Sequence, residues 1–244
     1  MDFLPGYCAG ISRVLISHPF DYVRLYLQTN TYSSFSSFFK ENKITSLYRG
    51  VGVPLIILPI DRAIQFRIYE YLNTYNLSPF LSGSICGCIS VLFNLPASYI
   101  SNNYVLNRNE NNLFHYTRRI LKNPLQLYNG FKPEFVRSTL ATSIYLGIYG
   151  RMREWYGNET RQTIINGALA GWSTWSVTYP IESIKVEQQV KNRTITQILK
   201  ERIHNYGIFN LWKGISPIYI RTLPSSIIGM VVYEKVKKYI PVKI

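Results

Sequence analysis

Long apolar stretches alternate with shorter polar ones along the chain, and the apolar stretches are helix-sized rather than strand-sized. Residues 77–106 contain no Asp, Glu, Lys or Arg, and residues 162–181 are likewise uncharged. At about 1.5 Å per residue, a helix over the first of these easily crosses a hydrocarbon core of about 30 Å. The other candidate spans carry isolated charges: Arg13, Asp61 with Arg62, Arg137, and Arg221. Charges inside a span are expensive, and they usually face a bundle interior or a water-filled cavity.

The pattern repeats. Three segments align on a proline: PFDYVRLYLQ from Pro19, PASYISNNYV from Pro96 and PIESIKVEQQ from Pro180. Each proline has a glycine nine residues upstream (Gly10, Gly87, Gly171) and another thirteen upstream (Gly6, Gly83, Gly167). A second anchor follows as YRG at 48–50, YNG at 128–130 and WKG at 212–214. Nineteen residues beyond each of those glycines stands a tyrosine: Tyr69, Tyr149, Tyr233. Such self-similarity over the whole chain predicts three repeats, 1–76, 77–158 and 159–244, forming one integral domain.

Each repeat reads as a membrane hairpin: a long helix kinked at proline, a polar loop with a short amphipathic helix, and a second span. Gly at i and i+4 lets helix backbones approach closely in lipid, and proline inside a span removes one backbone bond and kinks it. The expectation is an all-α membrane protein with six transmembrane helices and both termini on one side. The loops at 31–50, 108–130 and 192–214 hold eleven Lys or Arg and three acids, so they share one charged face.

Composition narrows the class. With 47% hydrophobic and 16% charged residues, the 244-residue chain is too apolar to be disordered. A net charge of +14 first suggests nucleic acid. No basic cluster with interleaved aromatics and no zinc spacing is present, so nucleic acid is set aside. An anionic membrane surface explains the excess equally well. Cys8, Cys86 and Cys88 form no disulfide or metal framework, and each lies in a small-residue apolar segment. No nucleophile–base pair or Gly-rich phosphate loop stands beside the spans, so neither an enzyme nor a cofactor is expected. No signal peptide precedes the first span.

The proline segments resemble the signature of the mitochondrial carrier family, Pro-x-Asp/Glu-x-x-Lys/Arg with a Gln further on. Repeat one carries Pro19, Asp21, Arg24 and Gln28; repeat three carries Pro180, Glu182, Lys185 and Gln189. Repeat two keeps Pro96 but has Ser98 and Ser101 where the acid and base belong. The resemblance implies a pseudo-threefold barrel around a central cavity. On its matrix side Asp21, Arg24, Gln28, Glu182, Lys185 and Gln189 would form a gate. There Glu182 would pair with Arg24, while Asp21 and Lys185 would face Ser101 and Ser98 without partners.

The resemblance also implies a cytoplasmic gate. It would comprise Tyr69 and Glu70 (with Asn73), Tyr149 and Arg153, and Tyr233, Glu234 and Lys237, pairing Arg153 with Glu234 and Lys237 with Glu70. One pair on the matrix side against two on the other predicts that the matrix-open state is favoured. The substrate positions carried over from the family are Ile57, Arg137 with Ser138, and Arg221 with Thr222; Arg13, Gln65, Asn94 and Trp175 add polar or stacking groups. Two arginines at one depth suit an anion, because guanidinium binds carboxylate or phosphate by paired hydrogen bonds. Lipid, cardiolipin above all, would sit at Arg49 and Gly50, at Gly130, and at Lys213 and Gly214.

The expected function is exchange of a small anionic metabolite across the mitochondrial inner membrane by a monomer. A nucleotide or deoxynucleotide comes first. The alternatives are a di- or tricarboxylate, or a non-transporting membrane scaffold. The arginine-rich signature of ADP/ATP carriers is missing, since KVEQQV follows Ile184. Abundant Asn, Ile, Tyr and Lys fit an AT-rich genome such as that of a parasite or large DNA virus; in the latter the host mitochondrion would be the site.

Overall fold

The computed structural model describes residues 3–29, 31, 37–38, 44–156 and 160–239, and all structural statements concern these. Six long helices dominate: α1 (Phe3–Gln28), α2 (Gly52–Asn73), α3 (Pro79–Leu106), α5 (Phe131–Tyr156), α6 (Thr160–Lys191) and α8 (Ser216–Tyr239). Two short helices lie in the loops, α4 (Leu113–Ile120) and α7 (Ile195–Tyr206). Local sequence sets several of the starts. Ser78 caps α3 ahead of Pro79, Asn112 accepts the Phe114 and His115 amides at α4, and Thr194 with Gln197 forms a reciprocal capping box at α7.

The long helices form a ring. Each packs on its neighbours in sequence, and α8 returns to pack along α1. The threefold pattern extends to the loops. Short 3₁₀ turns at Ile44–Tyr48, Pro124–Tyr128 and Ile208–Trp212 each pack on the first long helix of their own repeat. After each turn, Gly50, Gly130 and Gly214 take φ of +81°, +84° and +87°, which L side chains rarely adopt. This left-handed residue reverses the chain into α2, α5 and α8, and it is why aromatic-x-Gly recurs.

The glycine pairs behave unequally. At Gly87 an added Cβ would lie 2.5 Å from the Ser138 carbonyl oxygen, and at Gly83 2.8 Å from that of Thr142, so α3 and α5 touch backbone to backbone. Gly10 and Gly171 have tight neighbours in Pro59 at 3.0 Å and Thr222 at 3.3 Å. Gly6 has nothing within 4 Å and Gly167 only an ordinary contact with Tyr145, so the expected close packing is fullest in repeat two.

Two helical stretches, Phe80–Leu106 and Ile208–Tyr233, are apolar and long enough by themselves to cross a membrane. The prolines at 19, 96 and 180 lie inside helices that continue through them. Beyond these prolines α1, α3 and α6 converge, and a buried cluster including Tyr22, Tyr26, Phe38, Val105 and Val186 fills the space between them.

Candidate functional site

The proline end of the ring is closed by an ion network set between the helices. Glu182 of α6 lies 3.3 Å from Arg24 of α1, 2.9 Å from Lys185 and 2.9 Å from Arg137 of α5. Asp21 lies 3.4 Å from Arg221 of α8 and 3.8 Å from Arg24. The Arg24–Glu182 pair is the one the threefold pattern predicts. The rest differs from expectation.

Lys185 is not left facing Ser98. It pairs with Glu134 at 3.2 Å, an acid in the first turn of α5 that is only 1% exposed. Glu134 also takes a two-pronged bond from Arg137, Nε at 2.8 Å and Nη2 at 2.6 Å. Asp21 does not face Ser101; it finds Arg221 instead. The two serines have other work. Ser101 donates to the Gly50 carbonyl at 3.2 Å, and Ser98 accepts from Gln189 at 3.2 Å. The single ion pair expected at this end is therefore an underestimate, and with it goes the basis for expecting this end to open more readily. The physical reason is that α5, the second long helix of its repeat, supplies the charge missing from α3. Its sequence trace is an acid one turn before an intramembrane arginine, Glu134 before Arg137.

The glutamines brace the same region. Gln189 bonds to Ser98 and accepts from Asn102 at 3.1 Å, tying α6 to α3. Gln28 is fully buried, and its backbone carbonyl accepts from Arg202 of α7. Arg202, itself 2% exposed, also bonds Glu187 and Ser183, both at 2.7 Å, and so pins the loop helix beneath α1 and α6. No motif marks Arg202; it reads as a loop charge until α7 is folded against α6.

The residues proposed for substrate divide into engaged and structural. Arg137 and Arg221 are drawn into the ion network from the cavity positions. Two guanidinium groups lie over the Trp175 ring, that of Arg24 at 5.7 Å and that of Arg221 at 5.8 Å from its centre. Ser138 is buried and donates to the Gly87 carbonyl at 3.0 Å, and Thr222 donates to the Ile218 carbonyl at 2.7 Å, so both hydroxyls serve packing or their own helix. Arg13 packs on Gly229 of α8, where an added Cβ would meet its side chain. Gln65 donates to Asp61 at 2.6 Å and to Ser90 at 2.7 Å, while Ile57 is half-buried on α2. A pocket of about 360 Å³ lined by Tyr26, Thr29, Leu106, Arg108 and Lys191 lies beyond the ion network, at the C-terminal ends of α1, α3 and α6.

Of the opposite gate, the side chains of Tyr69 and Tyr233 are described. Those of Glu70, Asn73, Tyr149, Arg153, Glu234 and Lys237 lie outside the described residues. Of the lipid positions, Arg49 makes its contacts within the protein. Arg49 donates to the carbonyls of Tyr104, Asn107 and Glu110 and lies 4.2 Å over the Tyr104 ring, which makes it a clamp on the C-terminus of α3. His18, one residue before Pro19, bonds the Arg49 carbonyl at 2.9 Å and ties that corner to α1.

A threefold ring of hairpins, ion-locked at its proline end and with arginines facing inward, defines a membrane transporter rather than an enzyme. The family described as mitochondrial carrier protein matches the chain three times, over residues 1–79, 73–160 and 158–243, and the chain belongs to it. Among its relatives, a glutamate/glycine mitochondrial carrier of Schizosaccharomyces pombe is 23% identical, with 98% of this chain and 94% of the relative covered. A chloroplastic/mitochondrial adenine nucleotide transporter of Arabidopsis thaliana is 24% identical, covering 96% and 69%. A mitochondrial basic amino acids transporter of Bos taurus is 24% identical, covering 92% and 87%.

Proposed function

We propose that this carrier exchanges a small anion, a nucleotide or deoxynucleotide before other classes, across the mitochondrial inner membrane by alternating access. The three repeats, 1–76, 77–158 and 159–244, act as one six-span pseudo-threefold barrel working as a monomer. The observation that carries the reading is the position of Arg137, whose guanidinium is shared between Glu134 and Glu182. An anion arriving from the opposite side competes for Arg137 with Glu182 and for Arg221 with Asp21. Binding therefore loosens the same contacts that hold the proline end shut. This is differential binding in the required sense, because the ligand's contacts replace contacts of one conformation only.

Trp175 favours a nucleotide. With Arg24 and Arg221 both close to its ring, it would stack on a base once those arginines turn to the phosphates, and one relative is named as an adenine nucleotide transporter. A di- or tricarboxylate would use the arginines and leave Trp175 idle. A non-transporting scaffold would have little use for buried charges poised to change partners. Cardiolipin headgroups would take the amides and positive dipole ends at the starts of α2, α5 and α8.

Reconstitution of the whole chain in liposomes with labelled ATP, dATP, malate and citrate tests the reading. Uptake of a nucleotide, lost in Arg137→Ala and Arg221→Ala and weakened in Arg137→Lys, is expected. Lys keeps the charge but loses the two-pronged bond. Uptake of carboxylates alone would favour the second substrate class, and exchange of no anion at all would favour the scaffold. Unchanged uptake in both alanine variants would remove the site assignment.

A further inference from the structure

The pocket beyond the ion network takes its wall from three separate helices. The end of α1 gives Tyr26 and Thr29, the end of α3 gives Leu106 and Arg108, and the last turn of α6 gives Val190 and Lys191. Its volume of about 360 Å³ falls within the range of about 300–1,000 Å³ usual for small-molecule sites. Arg108 donates to the Tyr26 hydroxyl at 3.3 Å and lies 5.4 Å over that ring. The same hydroxyl donates to the Val105 carbonyl at 3.2 Å, which ties α1 to α3. Thr29 and Thr31 meet through their hydroxyls at 2.9 Å.

A single base at a helix end would only complement the helix dipole. Here bases from two helices line one cavity. Lys191 and the buried Arg202 share one acid, Glu187, so the α6 side keeps positive charge in excess. The loops add to it: segments 31–50, 108–130 and 192–214 carry eleven Lys or Arg against three acids, a field that draws anions in. Phosphate suits these donors, because its oxygens accept several bonds at once, paired from a guanidinium and single from an ammonium. The faces of Tyr26, Leu106 and Val190 leave room for an organic group beside it.

We propose that this pocket binds a small phosphate-bearing metabolite, and that its occupant holds the proline end shut. The pocket keeps its shape only while α1, α3 and α6 stay together at their C-terminal ends. Alternating access, the reading given above on which this rests, parts those ends. An anion seated there binds one conformation and not the other, and so draws the population towards the closed end. The pocket shares no lining residue with the Arg137 and Arg221 positions. A phosphate compound abundant on that side of the membrane thus slows the carrier without passing through it.

The test uses the full-length protein in phosphatidylcholine nanodiscs, with pyrophosphate as the probe. Calorimetry should show saturable binding, weakened about tenfold in Arg108→Gln and in Lys191→Gln. Lys122→Gln, an exposed base on a neighbouring loop, and Arg137→Lys, in the substrate position, should leave it unchanged. Adding cardiolipin to the discs should not alter the affinity; competition would make the phosphate that of a lipid headgroup and overturn the proposal. Thiol labelling of Ser98→Cys, in a chain without its native cysteines, reads how often the proline end opens. At pyrophosphate about ten times its Kd the labelling rate should fall about tenfold, and in Lys191→Gln much less. Equal binding by the native chain and both pocket variants would overturn the proposal. Saturable binding with unchanged labelling would overturn it too, while leaving the carrier reading intact. If the reconstituted chain exchanges no anion, the carrier reading fails, and calorimetry and labelling still decide whether the pocket binds phosphate and holds the end shut.

Discussion

Glu182 holds three cations at once, so neutralising it in Glu182→Gln should loosen the closed end more than any other single change there. Its side chain is 4% exposed and its partners Arg24, Arg137 and Lys185 are 10%, 14% and 4% exposed. Breaking a fully buried pair costs about 3–5 kcal/mol, and an exposed pair contributes about 0–1 kcal/mol. Lys185 and Arg137 keep Glu134 as an alternative acid, which places the expected cost at about 2–3 kcal/mol. At about 1.4 kcal/mol per factor of ten, the open-to-closed ratio should rise roughly 30- to 150-fold. The assay is thiol labelling of Ser98→Cys, at the inner face of the closed end, in a chain whose Cys8, Cys86 and Cys88 are replaced by serine. The labelling rate should rise in that proportion. As a control, Glu110→Gln breaks the Arg119–Glu110 pair, in which Arg119 is 52% exposed, and should change it at most about fivefold. Equal labelling in Glu182→Gln and its parent, with both still folded, would refute the view that this network shuts the end.

Three other outcomes follow from contacts already described. Gly87→Val should prevent stable folding or sharply lower the thermal midpoint in detergent, because α3 and α5 have no room for a Cβ; Gly6→Ala, with open space, should stay within about 0.5 kcal/mol of the parent. Arg202→Ala leaves Glu187 buried with only Lys191 as partner and should cost about 2–3 kcal/mol, read as a lowered midpoint that Arg202→Lys restores only in part. Arg49→Ala should lower the midpoint equally with and without cardiolipin; a loss seen only when cardiolipin is present would mean that Arg49 serves lipid rather than the end of α3.

The repeat skeleton was legible in the sequence because its glycines and prolines do local work. Gly50, Gly130 and Gly214 are needed where the backbone turns left-handed, and Pro19, Pro96 and Pro180 sit at equivalent positions in their helices. Charge pairing was legible only where symmetry is intact, as for Arg24 with Glu182. Where repeat two lacks its charges, the partners of Lys185 and Asp21 depend on which helix leans closest, and spacing within one segment does not report that. Glu134 and Arg221 come from helices outside the motif, and Arg202 from a loop. Ser138 and Thr222 show a related limit: a hydroxyl at cavity depth has the same address whether it faces the cavity or, as here, a neighbouring carbonyl.

The salt link between Glu134 and Lys185 also bears on the symmetry of the ring. By the family's pairing an acid at position 98 would be the partner of Lys185; here Lys185 already has two carboxylates. The repeats are thus not interchangeable parts. A change that restores symmetry on paper would have to be made together with the removal of Glu134, and neither step alone is an improvement.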